Sequence, residues 1–185
     1  FHVFAESVNR APTLVTSRRS FVRKVVFPLE ILSISAVLST LVYLIVSVAL
    51  IVLASFVFTG HVSSTLWAFP LVMVPLYLLS LGLSWLLSSL GVFLTDIRNI
   101  VSVATGLLMF CSAVFYPVER IPADFRFLVE YNPLTILVES GRRTLLWSQT
   151  PDWPALGAVT VLSLLAAQVG FAFFSKSKRG MADVV

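Results

Sequence analysis

From Ile31 to Thr95 the chain runs 65 residues without an Asp, Glu, Lys or Arg. Only His61 in that run can gain charge near neutral pH. A helix rises about 1.5 Å per residue, so about 20 apolar residues cross the ~30 Å hydrocarbon core of a bilayer. The run therefore supplies two crossings joined by a turn. A water-soluble domain of this size does not leave so much surface uncharged. Composition agrees, with 58% hydrophobic and 12% charged residues, where a soluble domain carries roughly twice that charged share. The expectation is a single all-α, polytopic membrane domain over residues 1–185. The lone Cys111 lies in an apolar stretch and reads as a small hydrophobe.

Four segments are long and apolar: 31–58, 66–94, 100–118 and 154–174. The second contains Pro70 and Pro75, either of which kinks a helix. Basic residues set the orientation, because they collect at the cytoplasmic face. Residues 1–30, the turn near 95–99 and the tail beyond 175 carry nine Lys and Arg on one side. The other side carries four, Arg120, Arg126, Arg142 and Arg143, among five acids. Four crossings then place both visible ends in the cytoplasm and the loops at 59–65 and 119–153 outside. The basic residues form no concentrated face with interleaved aromatics, which excludes nucleic acid as a partner. The chain begins at Phe1, without Met or a signal-peptide pattern, and the natural N-terminus is expected upstream.

The apolar segments contain no carboxylate, Lys or Arg, which leaves nothing for a proton or ion relay. There is no Gly-x-x-x-x-Gly-Lys-Ser/Thr phosphate loop and no pair of Cys or His at metal-ligand spacing. No catalytic role, metal or cofactor is expected on this chain. A Ser84–His61 hydrolase pair rests on a degenerate Gly82-Leu83-Ser84 context, with His61 in a turn. Small residues recur every seven positions at Ser33, Thr40, Ser47 and Ala54, and every four at Ser80, Ser84 and Ser88. They serve close helix packing in lipid or line a weakly polar path. Trp67, Tyr116, Trp147 and Trp153 fall near expected membrane boundaries, as interfacial aromatics do. Trp85, Phe110 and Phe115 lie deeper, packed in the bundle or facing a substrate.

Two segments fit neither a crossing nor a simple loop. Residues 13–27 interleave Leu14, Phe21, Val22, Val25 and Val26 with Arg18, Arg19, Arg23 and Lys24. That pattern is a basic amphipathic helix, serving as a lipid-surface anchor or as a dock for a cytoplasmic partner. Asn132-Pro133 opens a stretch to Trp147 that is too short and too charged to span. It reads as an interfacial or re-entrant helix, with Glu139 paired locally to Arg142 or Arg143.

These pieces resemble, in order, the permease subunits of ABC-2 type exporters of polysaccharide or polyol-phosphate, such as O-antigen, capsule or teichoic acid. The similar blocks are Arg23-Lys24-Val25-Val26-Phe27-Pro28-Leu29-Glu30, Phe115-Tyr116-Pro117 through Pro122, Asn132-Pro133-Leu134-Thr135 through Arg142-Arg143, and Phe173-Phe174 onward. Thr95 stands where the family commonly has Arg before the Asp of the inner turn. The family has six crossings; the four here correspond to its third through sixth, and Phe1–Glu6 to the end of its second. The resemblance implies a homodimer in the bacterial inner membrane, each copy bound by a cytoplasmic ATP-binding subunit that carries ATP and Mg. It implies a coupling helix over 9–27, with Arg18, Arg19, Phe21, Arg23 and Lys24 at the contact. It implies a polyprenyl-linked glycan as substrate and a conduit lined by segment 100–118, with Thr105, Met109, Phe110, Ser112 and Tyr116 as candidates. Asn132, Pro133, Glu139, Arg142 and Arg143 mark the outer re-entrant segment. The alternatives are an ABC-2 exporter of drugs or small lipid-linked molecules and a non-transport membrane scaffold.

Overall fold

A computed structural model describes residues 1–18, 28–94, 96–116, 127 and 129–184, the side chains of 18, 59, 179 and 182–184 excepted. Among these residues every regular element is helical. The α-helices are α1 (His2–Arg10), α2 (Glu30–Thr59), α3 (Phe69–Phe93), α4 (Ile97–Cys111), α5 (Pro133–Leu145) and α6 (Trp153–Val184). Short 3-10 helices lie at Ala11–Thr13, Thr16–Arg18 and Leu66–Ala68. Three helical spans are long and apolar enough to cross a membrane: Glu30–Phe58, Leu66–Phe93 and Trp153–Lys178. The molecule is an all-α, multi-pass membrane protein.

Local sequence explains the boundaries. α2 ends at Gly60, whose φ of 69° is left-handed and whose N–H donates to the Phe56 carbonyl at 3.0 Å. A side chain there meets no neighbour, so backbone freedom alone requires glycine. Pro70 lies in the first turn of α3, where its missing N–H costs nothing. Pro75 is fully buried within α3, which continues as one helix through it.

The fourth expected crossing is shorter than its apolar run. α4 stops at Cys111, after 15 residues. Ser112 leaves the helical region and Ala113 takes a positive φ of 48°. Hydropathy continues through 112–116, but the helix does not.

α3 is the centre of the bundle. It packs along α6 and also touches α1, α2, α5 and the 3-10 helix at 11–13. At the α3–α6 crossing the backbones nearly touch. A Cβ at Gly82 would lie 2.6 Å from the backbone of Ala166 and Ala167, and one at Gly170 would overlap the Gly82 carbonyl. Ser80, Ser84, Ser88, Ser89 and Ser163 are buried along these helices. In lipid, packing takes over from the hydrophobic effect as the driving force, and small residues let it act. The serine stripe of α3 is therefore a helix-packing seam in this chain.

Two apolar clusters sit on either side of that crossing. One joins Val3, Phe4 and Val8 of α1 to α3, α4, α5 and α6; the other joins Val15, Leu29 and Leu32 to Trp85, Val92, Phe174 and Met181. At this second end a Cβ on Gly91 would overlap the Pro12 carbonyl, and Lys178 pairs with Glu30 at 2.9 Å. From about Val42 to Phe58 most of α2 projects outward with large exposed side chains, a placement that costs nothing against acyl chains.

Gly82→Ala and Gly170→Ala should each lower the stability of the full-length protein by about 1–3 kcal/mol, since backbone must shift to admit the methyl. Gly106 and Gly157 face open space, so Ala there should leave the melting temperature in detergent unchanged or raised. Equal melting curves for all four variants would contradict the crossing.

Candidate functional site

The site is built where α4 breaks. Residues 112–116 carry backbone carbonyls with no helical partner, a costly arrangement at membrane depth. Side chains from α5 and its start bond two of them, those of Val114 and Tyr116, and the Cys111 carbonyl just before. Arg142 Nη2 donates to the Val114 carbonyl at 2.5 Å, and Nη1 donates to the Tyr116 carbonyl at 3.4 Å. Asn132 Nδ2 lies 3.3 Å from both the Cys111 carbonyl and Ser112 Oγ. Asn132 Oδ1 also accepts from the Leu134 N–H at 2.9 Å, capping α5, with Pro133 in the first turn. One residue thus starts α5 and holds the end of α4.

Arg142 also meets Glu139 at 3.4 Å, three residues back on α5. The ion pair expected from spacing is present, yet the shorter contact is to the Val114 carbonyl. Arg suits this task because its planar fork presents several donors at once. Its place in the last turn of α5 also complements the helix dipole. The far end of α5 is fixed too. Ser63 Oγ donates to the Thr144 carbonyl at 2.5 Å, and Thr65 Oγ1 does so at 3.2 Å. These contacts had no signature in the sequence beyond polar residues in a turn.

The five expected conduit residues do not share a face. Thr105 is buried, donating to Asn9 Oδ1 at 2.8 Å and so joining α4 to α1. Ser112 is buried and donates to the Leu108 carbonyl at 2.5 Å. Phe110 points outward beside Phe115, with ring centres 5.8 Å apart. Met109 is half-buried, and the Tyr116 hydroxyl donates to the Phe110 carbonyl. Trp85 packs within the bundle, edge-on to Phe171 at 5.1 Å and donating to the Glu30 carbonyl at 3.2 Å. At the other end Trp67 and Trp153 stack at 6.4 Å, both largely exposed.

Of the basic segment 9–27, the described part is not one helix. Pro12 lacks the N–H that would bond back along α1, and the chain passes into 3-10 turns at 11–13 and 16–18. Arg18 ends the second turn; Arg19, Phe21, Arg23 and Lys24 lie outside the described residues. So does the turn from Pro117 to Pro122. Ser84 and His61 cannot form a catalytic pair. Ser84 is buried about 22 Å along α3 from Phe69 at 1.5 Å per residue, while His61 is exposed in the turn before it. Among the described residues no group of His, Cys, Asp or Glu is placed to hold a metal.

The architecture is that of a helical membrane subunit held together by small-residue crossings and a capped break. A family model described as ABC-2 type transporter matches residues 1–146, and the chain belongs to that family, whose members are transport components rather than catalysts. It is 25% identical over 183 residues to the O-antigen export system permease protein RfbA of Klebsiella pneumoniae, covering 98% of this chain and 70% of the relative. The protein of the same name from Myxococcus xanthus is 23% identical over 184 residues, covering 98% and 71%. The polysialic acid transport protein KpsM of Escherichia coli is 21% identical over 188 residues, covering 98% and 70%.

Replacing Arg142 by Met should cost about 1.5–3 kcal/mol, the range for a hydrogen bond to a charged group. Proteolysis near residues 112–116 should accelerate in membranes. Arg142→Lys should recover only part of the loss, because an ammonium cannot reach both carbonyls as a fork does. Full recovery by Lys would show that charge, and not the fork, holds the break.

Proposed function

We propose that this chain is the membrane-spanning permease of an ATP-driven exporter that moves a polyprenyl-linked polysaccharide across the bacterial inner membrane. The observation that carries this reading is similarity, over 98% of the chain, to proteins named for O-antigen export and for polysialic acid transport. Sequence chemistry supports it, because the apolar spans contain no carboxylate, Lys or Arg to couple transport to ions. The work then comes from a separate cytoplasmic subunit that binds ATP and Mg. That subunit docks on the 9–27 segment, with Arg18, Arg19, Phe21, Arg23 and Lys24 at the contact.

The permease acts as a homodimer, with the Arg10 end of α1 and the last turns of α6 facing the cytoplasm, whereas Phe1 lies inside the bundle, packed on the cluster of Val3, Phe4, Leu134 and Leu137. The clustering of Arg10, Arg98 and Lys178 at one end supports this orientation. At that end Pro12 lies against Gly91, Gly180 near Phe93, and Lys178 against Glu30. The exposed rings of Phe110 and Phe115 face the conduit, where a flat aromatic surface tolerates a sliding sugar polymer. Asn132, Pro133, Glu139, Arg142 and Arg143 frame its outer margin.

Purification of the full-length protein from its native membrane should bring down a stoichiometric ATPase. Reversal of Arg18, Arg19, Arg23 and Lys24 to Glu should abolish that association while the permease still accumulates. Deletion of the gene should remove a surface glycan. An ATPase partner with unchanged surface glycan would point instead to an exporter of drugs or small lipid-linked molecules. A homo-oligomer without an ATPase would leave a membrane scaffold.

A further inference from the structure

α4 is held to the bundle over a short stretch. Its buried side chains are Val101 and Thr105, four residues apart and so on one face. Val101 joins the cluster built on Val3, Phe4 and Val8 of α1. Thr105, only 4% exposed, donates to Asn9 Oδ1 at 2.8 Å. Around these two the helix is open, with residues 98–100 and 102–104 exposed.

Asn9 stands where motion would enter. It precedes by two residues the 3-10 turn at 11–13, whose Pro12 carbonyl leaves no room for a methyl on Gly91 of α3. It is also the first residue of the 9–27 segment. The Thr105 hydroxyl has one proton to donate, yet three acceptors lie within reach. Besides Asn9 Oδ1 these are the Val101 carbonyl at 2.9 Å and the Ser102 carbonyl at 3.0 Å, both in its own helix. The hydroxyl can therefore let go of Asn9 and turn to its own backbone. That avoids a stranded buried donor, the main cost of breaking such a bond. Asn9 is half-buried beside the exposed Arg10, so its released amide is not sealed from solvent. The bond opens cheaply at both partners.

We infer that the Asn9–Thr105 bond is a releasable catch that positions α4 against the docking segment, which makes both of them positioning residues for export. The inference rests on the export reading, since α4 carries the ring of Phe110 and the catch sets where that ring stands when the docked subunit moves. Neither residue touches the polymer in this role.

The test uses the full-length permease with its ATPase in vesicles of phosphatidylethanolamine and phosphatidylglycerol, with Cys111→Ala. Nitroxides at Leu107→Cys on α4 and Val169→Cys on α6, both exposed positions, report where α4 stands by pulsed dipolar spectroscopy. Trapping the ATPase with vanadate should shift that distance, and Thr105→Val or Asn9→Leu should abolish the response. In cells, surface glycan per assembled permease–ATPase complex should fall about three- to ten-fold in each variant, the worth of one net hydrogen bond. Thr105→Ser keeps the hydroxyl and should keep both readouts. Because the two changes remove one bond, the double variant should fall no further than either alone. Multiplying losses, or normal export in Asn9→Leu, would mean that Thr105 acts by itself and would overturn the catch. An unaltered vanadate response in both variants would overturn it as well. Normal export in all variants, with glycan lost on gene deletion, would remove the catch and keep the export reading. Glycan intact after gene deletion would remove the export reading. The resting distance then decides, and equal distributions in the parent, Thr105→Val and Asn9→Leu would show that the bond does not position α4.

Discussion

A backbone carbonyl in hydrocarbon has no water to turn to, and this requirement shapes the chain more than any single contact. α2, α3 and α6 meet it by being long and continuous, their backbone bonds closing within each helix except at Pro75 of α3, which has no N–H to offer the Leu71 carbonyl. α4 does not, and among the described residues its irregular end at 112–116 is held because α5 brings donors to it. The arrangement also explains why α5 is fixed at both ends. Its start is set by Asn132, which bonds the end of α4, and its finish by Ser63 and Thr65, which bond the Thr144 carbonyl. A short, charged helix at this depth would otherwise have little reason to stay.

Association of the long helices follows a second rule. Acyl chains are as apolar as leucine, so helices adhere where they approach closely. Gly82 and Gly170 give the closest approach between two crossings, and Gly91 gives the same for the Pro12 turn against α3. The seam is lined by serines because a small side chain is what the geometry admits. Hydroxyls at Ser80, Ser84, Ser89 and Ser163 even remain without partners. A wall of a polar path would not bury them so completely.

The long helices were legible because hydropathy reports them directly. Sixty-five residues without charge leave little choice between Ile31 and Thr95. The end of α4 was not legible, since Cys111-Ser112-Ala113-Val114-Phe115-Tyr116 is apolar on both sides of the break. A positive φ at an alanine leaves no compositional trace. Arg142 was singled out, but helical spacing could pair it only with Glu139. Its carbonyl acceptors lie 26 and 28 residues away, and any residue type supplies a carbonyl. For the same reason the partner of Thr105 was illegible. That partner, Asn9, sits on a helix of nine residues whose burial depends wholly on what surrounds it.

These contacts also bear on how work could reach the outer end of an exporter. The 3-10 turn at 11–13 is seated against α3 at Gly91, with no room for a methyl between them. α3 is locked to α6 at Gly82 and Gly170, so the two helices move as one body if they move at all. Their far ends carry α5: α3 through Leu76 against Leu134 and Leu137, and α6 through Leu156 and Val159 in the same cluster. A displacement of the segment after α1 therefore meets a stiff lever instead of a compliant loop. At the far end of that lever lies the one irregular stretch of α4, held by Arg142 and Asn132. Packed cores transmit strain, while a break fastened by a few side-chain hydrogen bonds has alternative arrangements nearby. On the proposed function, motion at the cytoplasmic docking segment would be delivered where the backbone can yield, beside the exposed rings of Phe110 and Phe115.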